Sequence, residues 1–174
     1  MTCEWVVVHT HNRAEWQANR ALKDAGFVTL YLHYLATVKH ARKVIAVNKP
    51  LFPRYLFVAV EPHQNFHDIN VAQGVSTVLH DADGPLPLRE ADIVRLRAGA
   101  DENGLMASPK AVPDREKYKH GEKLRIIDGP LKGWDAVVIL DNFEVIRVTV
   151  EMFKGELEAV LSPTAVKRAF TLSA

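Results

Sequence analysis

Apolar and polar positions alternate in short blocks along the chain. Trp5-Val6-Val7-Val8 is an apolar, β-branched run between polar neighbours, which predicts a buried strand. Asn12 and Glu15 stand three apart, as in a capping box, and Ala14, Ala18, Ala21, Leu22 and Ala25 follow at helical spacing. Gly26 supplies the left-handed residue that closes this helix. Thr29 to Leu35 is aromatic-rich and reads as one strand. Val38 to Lys49 carries Lys39, Arg42, Lys43 and Lys49 with no acid, and reads as a basic loop or flexible hairpin. Pro50 and Pro53 bracket Leu51-Phe52, and the apolar run Tyr55 to Val60 predicts a central strand. Beyond it the pattern predicts a short helix over Phe66–Val71, a strand over Val75–His80, a turn at Asp83-Gly84-Pro85 and a helix over Arg89–Ala98. Residues 1–98 therefore read as an α+β domain, an antiparallel sheet flanked by helices.

The pattern then changes. Residues 99–117 hold Gly99, Gly104, Pro109 and Pro113 among scattered charges, with few sizeable apolar groups, which is the composition of a flexible linker. From residue 118 to 174 five short strands follow, Lys123–Ile127, Trp134–Leu140, Val145–Met152, Glu156–Leu161 and Ala165–Arg168, separated by turn signals. Such spacing predicts a small all-β barrel, whose closure would remove exposed strand edges.

Charge narrows the function. Lys+Arg is 22 against Asp+Glu 21, a net charge of +1, so bulk charge does not hold this protein on nucleic acid. Cys3 is the sole cysteine, which excludes an intrachain disulfide and a thiolate zinc site and suits a reducing compartment. No signal-like or membrane-length apolar run is present, so a cytoplasmic protein with no membrane contact is expected. His9 with His11, and His63 with His67, lack a convincing third ligand nearby. No nucleotide, hydrolase or metalloprotease motif occurs. No catalytic residue, metal or cofactor is expected, and the chain reads as a non-enzyme.

Two segments carry the most information: Pro50-Leu51-Phe52-Pro53-Arg54-Tyr55-Leu56-Phe57-Val58 and Ile127-Asp128-Gly129-Pro130-Leu131-Lys132-Gly133-Trp134. With Trp5-Val6-Val7-Val8 and Gly74-Val75, in this order, they resemble the NusG/RfaH family of transcription elongation and antitermination factors over nearly the whole chain. The resemblance implies an N-terminal NusG-like domain, a linker and a C-terminal SH3-like KOW barrel. It also implies a monomer that binds the clamp helices of the largest RNA polymerase subunit, bridges the polymerase cleft and suppresses pausing. Its KOW domain would recruit Rho or a small-subunit ribosomal protein. The runner-up is a KOW-containing RNA- or ribosome-binding module, which would bind structured RNA with a steep salt dependence.

The residues have their own physics. On a strand, Tyr55 and Phe57 point to one side, away from Arg54, Leu56 and Val58. Exposed, they form an aromatic strip suited to a protein partner; the other reading places both in the core. The resemblance favours the strip, and so assigns polymerase binding to Tyr55, Phe57 and Phe52. Lys39, Arg42 and Lys43 are the candidates for upstream or non-template DNA; the other reading of this stretch is a solvated loop. Gly129 and Gly133 shape the KOW turn, and Phe153 is the candidate for contact with a KOW partner. The family's polar stretch ahead of Gly74 is replaced by Asn65-Phe66-His67-Asp68, which departs from its pattern, and Ala136 stands where many relatives carry glycine. Dense β-branching in Val137-Val138-Ile139 and Val145–Val150 predicts a stable barrel rather than a helical hairpin, free of the N-terminal domain on its long linker.

Overall fold

The computed structural model describes residues 3–41, 43–152 and 155–169. The fold is mixed α+β, dominated by sheet, with a separate C-terminal β region. In the N-terminal part, β1 (Glu4–Thr10), α1 (Glu15–Asp24), β2 (Val28–Leu30), β3 (His33–His40), β4 (Lys43–Pro50), β5 (Tyr55–Val60), α2 (Phe66–Asn70) and β6 (Val75–Val78) follow in order. The two-residue strands β7 (His80–Asp81), β8 (Gly84–Pro85) and β9 (Pro87–Leu88) lead into α3 (Glu90–Ala98).

The main sheet runs β2-β5-β1-β6, antiparallel throughout, with β9 added to β1. The apolar runs Trp5–Val8 and Tyr55–Val60 lie at its centre because they are buried on both faces. On one face, Val6, Val8, Leu56 and Val58 pack with Ala18 and Leu22 of α1 and Ile69 of α2. On the other, Trp5, Val7, Phe57 and Ala59 pack with Ile93 and Leu96 of α3. Gly74 lets the chain into β6 pass close to α1: a Cβ there would lie 2.9 Å from the Ala18 nitrogen.

Local chemistry departs from the sequence pattern in two places. The capping box at Asn12 does not form: Ala14 occupies the cap of α1 with no side-chain bond. Glu15 is buried and accepts instead from the Arg54 amide at 2.8 Å, an acceptor spent on a distant loop rather than its own helix. The helix end follows expectation, with Gly26 at φ +86°, its amide donating to Lys23 and the Phe27 amide to Leu22, a Schellman closure. The stretch Thr29–Leu35 is two strands, not one. β2 pairs with β5, Tyr31 and Leu32 dip into the two cores, and β3 leaves to pair with β4. The basic segment thus holds the end of the first arm, with Lys39 on β3, and the second arm β4 of an antiparallel hairpin.

In the C-terminal part, β11 (Lys123–Ile126), β12 (Asp135–Asp141), β13 (Ile146–Met152), β14 (Gly155–Leu161) and β15 (Val166–Arg168) form one antiparallel sheet in the order β14-β13-β12-β11-β15. Leu124, Ile126, Val138, Ile146, Val148, Val150 and Leu157 are its core. No ladder joins the end strands β14 and β15 among the described residues. The free edge of β14 is used otherwise: the Val160 amide donates to the Leu51 carbonyl at 2.8 Å.

The C-terminal sheet therefore rests on the N-terminal part rather than standing clear of it, because its apolar interior and Leu51-Phe52-Phe57 belong to one continuous cluster. On the other side the Arg95 guanidinium lies 3.9 Å over the Trp134 ring and donates to the Lys132 carbonyl at 2.8 Å. Residues 99–117 are anchored along their length. Gly104 accepts from the His33 amide, and β10 (Leu105–Met106) runs parallel to β3. Further on, the Lys110 amide donates to Ser162 Oγ, and Arg115 pairs with Asp141.

Candidate protein-binding groove

Strand β5 emerges from Pro53-Arg54, where Arg54 takes a left-handed backbone (φ +69°) that turns the chain sharply into the sheet. The Thr10 amide donates to the Arg54 carbonyl at 2.8 Å, so the bend is tied to the end of β1. The alternation expected for β5 is present, but the strip it would expose is covered. Phe57 is 1% exposed and Phe52 2%, with their rings edge to face at 5.3 Å inside the core. Tyr55, at the strand's open end, is half-buried and reaches the surface.

Tyr55 lines a groove of about 1180 Å³ between the start of α1, the β3–β4 hairpin and the β12–β14 side of the barrel. Its walls are aromatic. Trp16 of α1 is 57% exposed, 6.5 Å from Tyr31, and Tyr31 stacks on His33 at 4.8 Å. The His9 ring lies 5.3 Å from Tyr55, and burial, with Arg54 and His11 nearby, holds the His9 imidazole below its ordinary pKa. Burial, with a contribution from Glu15, pushes the Tyr31 hydroxyl up to about 12, so it stays neutral. Arg13, Lys49 and Arg54 line the N-terminal side of the groove; there Glu15 accepts from the Arg54 amide, and on the barrel side Glu158 is paired with Arg147. A groove with aromatic walls and a basic rim suits an apolar, acidic protein surface.

Trp16, Tyr31, Tyr34 and Arg13 are groove residues that the sequence reading passed over. Trp16 carried a usable signal: it falls outside the Ala14-Ala18-Leu22 stripe and so lies on the polar side of the helix, an unusual place for tryptophan.

The other candidates lie elsewhere. Lys39 and Lys43 are exposed near the hairpin tip, and the pairings Lys39↔Val44 and His40↔Lys43 place them on opposite faces. Arg42 and Phe153 lie outside the described residues. Gly129 (φ +82°) and Gly133 (φ +90°) make the turn before β12, where the Gly133 amide donates to Ile126. Ala136 is buried in the barrel. Asn65 caps α2, accepting from the Asp68 amide at 3.0 Å, so that stretch has a structural use.

The family model for transcription termination factor nusG matches residues 3–97. The transcription termination/antitermination protein NusG of Thermus thermophilus is 22% identical, aligned over 97% of this chain and 100% of its own. The protein of that name from Pseudomonas aeruginosa is 28% identical over 86% of this chain and 88% of its own. Among solved structures, one described as domain interaction in Thermotoga maritima NusG superposes with a TM-score of 0.51, covering 98% of this chain and 99% of that one at 18% identity. This last similarity is one of fold.

Proposed function

Since the chain belongs to the NusG family of transcription factors, we propose that it is a bacterial elongation and antitermination factor that docks on RNA polymerase through the groove beside Tyr55. The observation that carries this reading is the aromatic groove itself. An α-helix about 10 Å across occupies about 120 Å³ per residue, so a volume of about 1180 Å³ matches about ten helical residues. Trp16 and Tyr55 offer rigid aromatic anchors, and Arg13, Lys49 and Arg54 favour a helix with acids on its contact face. The clamp helices of the largest polymerase subunit are the partner this reading assigns. Bridging of the cleft and suppression of pausing follow from that docking. The barrel is the part assigned to Rho or a small-subunit ribosomal protein; the partly exposed Ile127 and Val137 give it apolar contact points.

The test is binding of the full chain to core RNA polymerase without nucleic acid. Trp16→Ala combined with Tyr55→Ala is expected to weaken binding at least tenfold, because aromatic anchors contribute about 2 kcal/mol or more at an interface. Pause lifetimes on a polymerase template should lengthen in parallel. A folded double variant that binds like wild type would overturn the groove assignment. Tight, salt-sensitive binding to structured RNA with no binding to polymerase would favour the RNA-binding module instead.

A further inference from the structure

We propose that the free edge of β4 is a strand-addition site for an extended, acidic peptide segment of another protein. The β3–β4 hairpin pairs from His33↔Pro50 to His40↔Lys43, and β10 covers β3 only at its base, at His33 and Tyr34. Among the described residues no strand pairs with the outer side of β4.

The register fixes which groups that edge presents. The Leu51 amide donates to the Leu32 carbonyl at 2.8 Å, so this pair is a hydrogen-bonded one. Antiparallel ladders alternate bonded and non-bonded pairs. Tyr34↔Lys49, Ala36↔Val47, Val38↔Ile45 and His40↔Lys43 are then the bonded pairs. Val44, Ala46 and Asn48 send their N–H and C=O groups outward. Pro50, which has no N–H, falls in the same outward set, where the ladder needs none.

The side chains select the occupant. Val44 is 66% exposed and Ile45 47%, and β-branched residues on an exposed edge present a surface shaped for another strand. Between Val38 and Lys49 there is no acid, and Lys43 and Lys49 lie on one face at the two ends of β4. A second copy of the chain fits poorly. The antiparallel register that satisfies all three outward residues centres on Ala46, and it sets Lys43 of each copy opposite Lys49 of the other. Like charges directly opposite repel. The same lysines that discourage self-pairing favour a strand with acids six residues apart and apolar or β-branched residues between them. Nucleic acid is the weaker fit, because Lys39 and Lys43 are divided between the two hairpin faces and apolar side chains lie between the lysines of β4.

The experiment titrates the isotopically labelled full chain with the blocked peptide Glu-Val-Thr-Val-Thr-Val-Glu at millimolar concentration. The amides of Val44, Ala46 and Asn48 are expected to shift downfield and gain exchange protection, with Ile45 and Val47 little changed. The same peptide with lysine at both ends is expected to bind at least tenfold more weakly. Ala46→Pro removes the central outward N–H without breaking a bond to β3 and is expected to weaken binding at least tenfold, whereas Ala46→Val retains it. A peptide N-methylated at alternate residues tests the same bonds with the protein unaltered, and should not bind. Equal binding of the acidic and basic peptides, or undiminished binding of the N-methylated one, would overturn the proposal. So would edge shifts produced by duplex DNA but not by the peptide, or a concentration-dependent dimer through β4.

Discussion

Arg54 holds a conformation that L-residues adopt at a cost of about 1–2 kcal/mol, and it does so at the rim of the groove. Its side chain reaches back only weakly, Nε to the Thr10 carbonyl at 3.4 Å. Arg54→Gly is therefore expected to raise thermal stability slightly, by up to about 1 kcal/mol, while weakening polymerase docking. Thermal melts and affinity measured on one sample separate the two effects. Asp141 shows the opposite bargain. Burial pushes its carboxyl up, but Arg115 at 2.5 and 2.6 Å and the Phe143 and Tyr118 amides outweigh that and hold its pKa at about 2. The folded value lies below the unfolded one of about 3.9. Its contribution, about 2 kcal/mol, is therefore complete above about pH 4 and disappears as pH falls through 2. Asp141→Asn should lose stability at pH 7 and flatten the acid limb of the denaturation profile. Neither site could be read from residue types. The partial exposure of Tyr55 at the start of β5 is legible because strand alternation is local, but the burial of Phe52 and Phe57 depends on α3 and the barrel, which arrive from far along the chain.

Elements were legible where a run of apolar residues matched one environment. β1, β5 and the barrel strands sit within a residue or two of their expected bounds because each lies in a single sheet. Thr29–Leu35 has the pattern of one strand but serves two sheets, and composition does not mark a change of partner. Residues 99–117 illustrate the converse. Their low apolar content suits a spacer, yet the turn at Asp101–Gly104 seats β10 through side-chain-to-backbone bonds that composition does not report: Asp101 Oδ1 accepts from the Asn103 and Leu105 amides. Gly104, at φ +82°, is critical there, since a Cβ would lie 2.1 Å from the Tyr31 carbonyl oxygen. Gly104→Ala is expected to cost about 2 kcal/mol or more and to detach β10. Hydrogen exchange at His33, whose amide donates to the Gly104 carbonyl, would report the loss.

At the scale of the molecule, one apolar cluster runs from the main sheet into the barrel, so the chain is expected to unfold in a single transition. The second fastening is the end of α3, where Arg95 covers Trp134 and Gly99 leaves room for Pro130, against which a Cβ would lie 2.8 Å. Arg95→Ala with Gly99→Ala should loosen this junction and split the calorimetric transition in two; a single unchanged peak would contradict it. The groove lies at the first fastening instead, where Leu140, Val145 and Val160 of the barrel line it together with Tyr55. The bond from Val160 to Leu51 then acquires a kinetic meaning. A partner wider than the groove must wait for that bond to open, and its apparent affinity is reduced by the fraction of time the edge stays shut. Stopped-flow mixing with a partner wider than the groove should show an association rate that levels off as its concentration rises, with a plateau set by the rate at which the barrel lets go, whereas a helix that fits the groove should show no plateau.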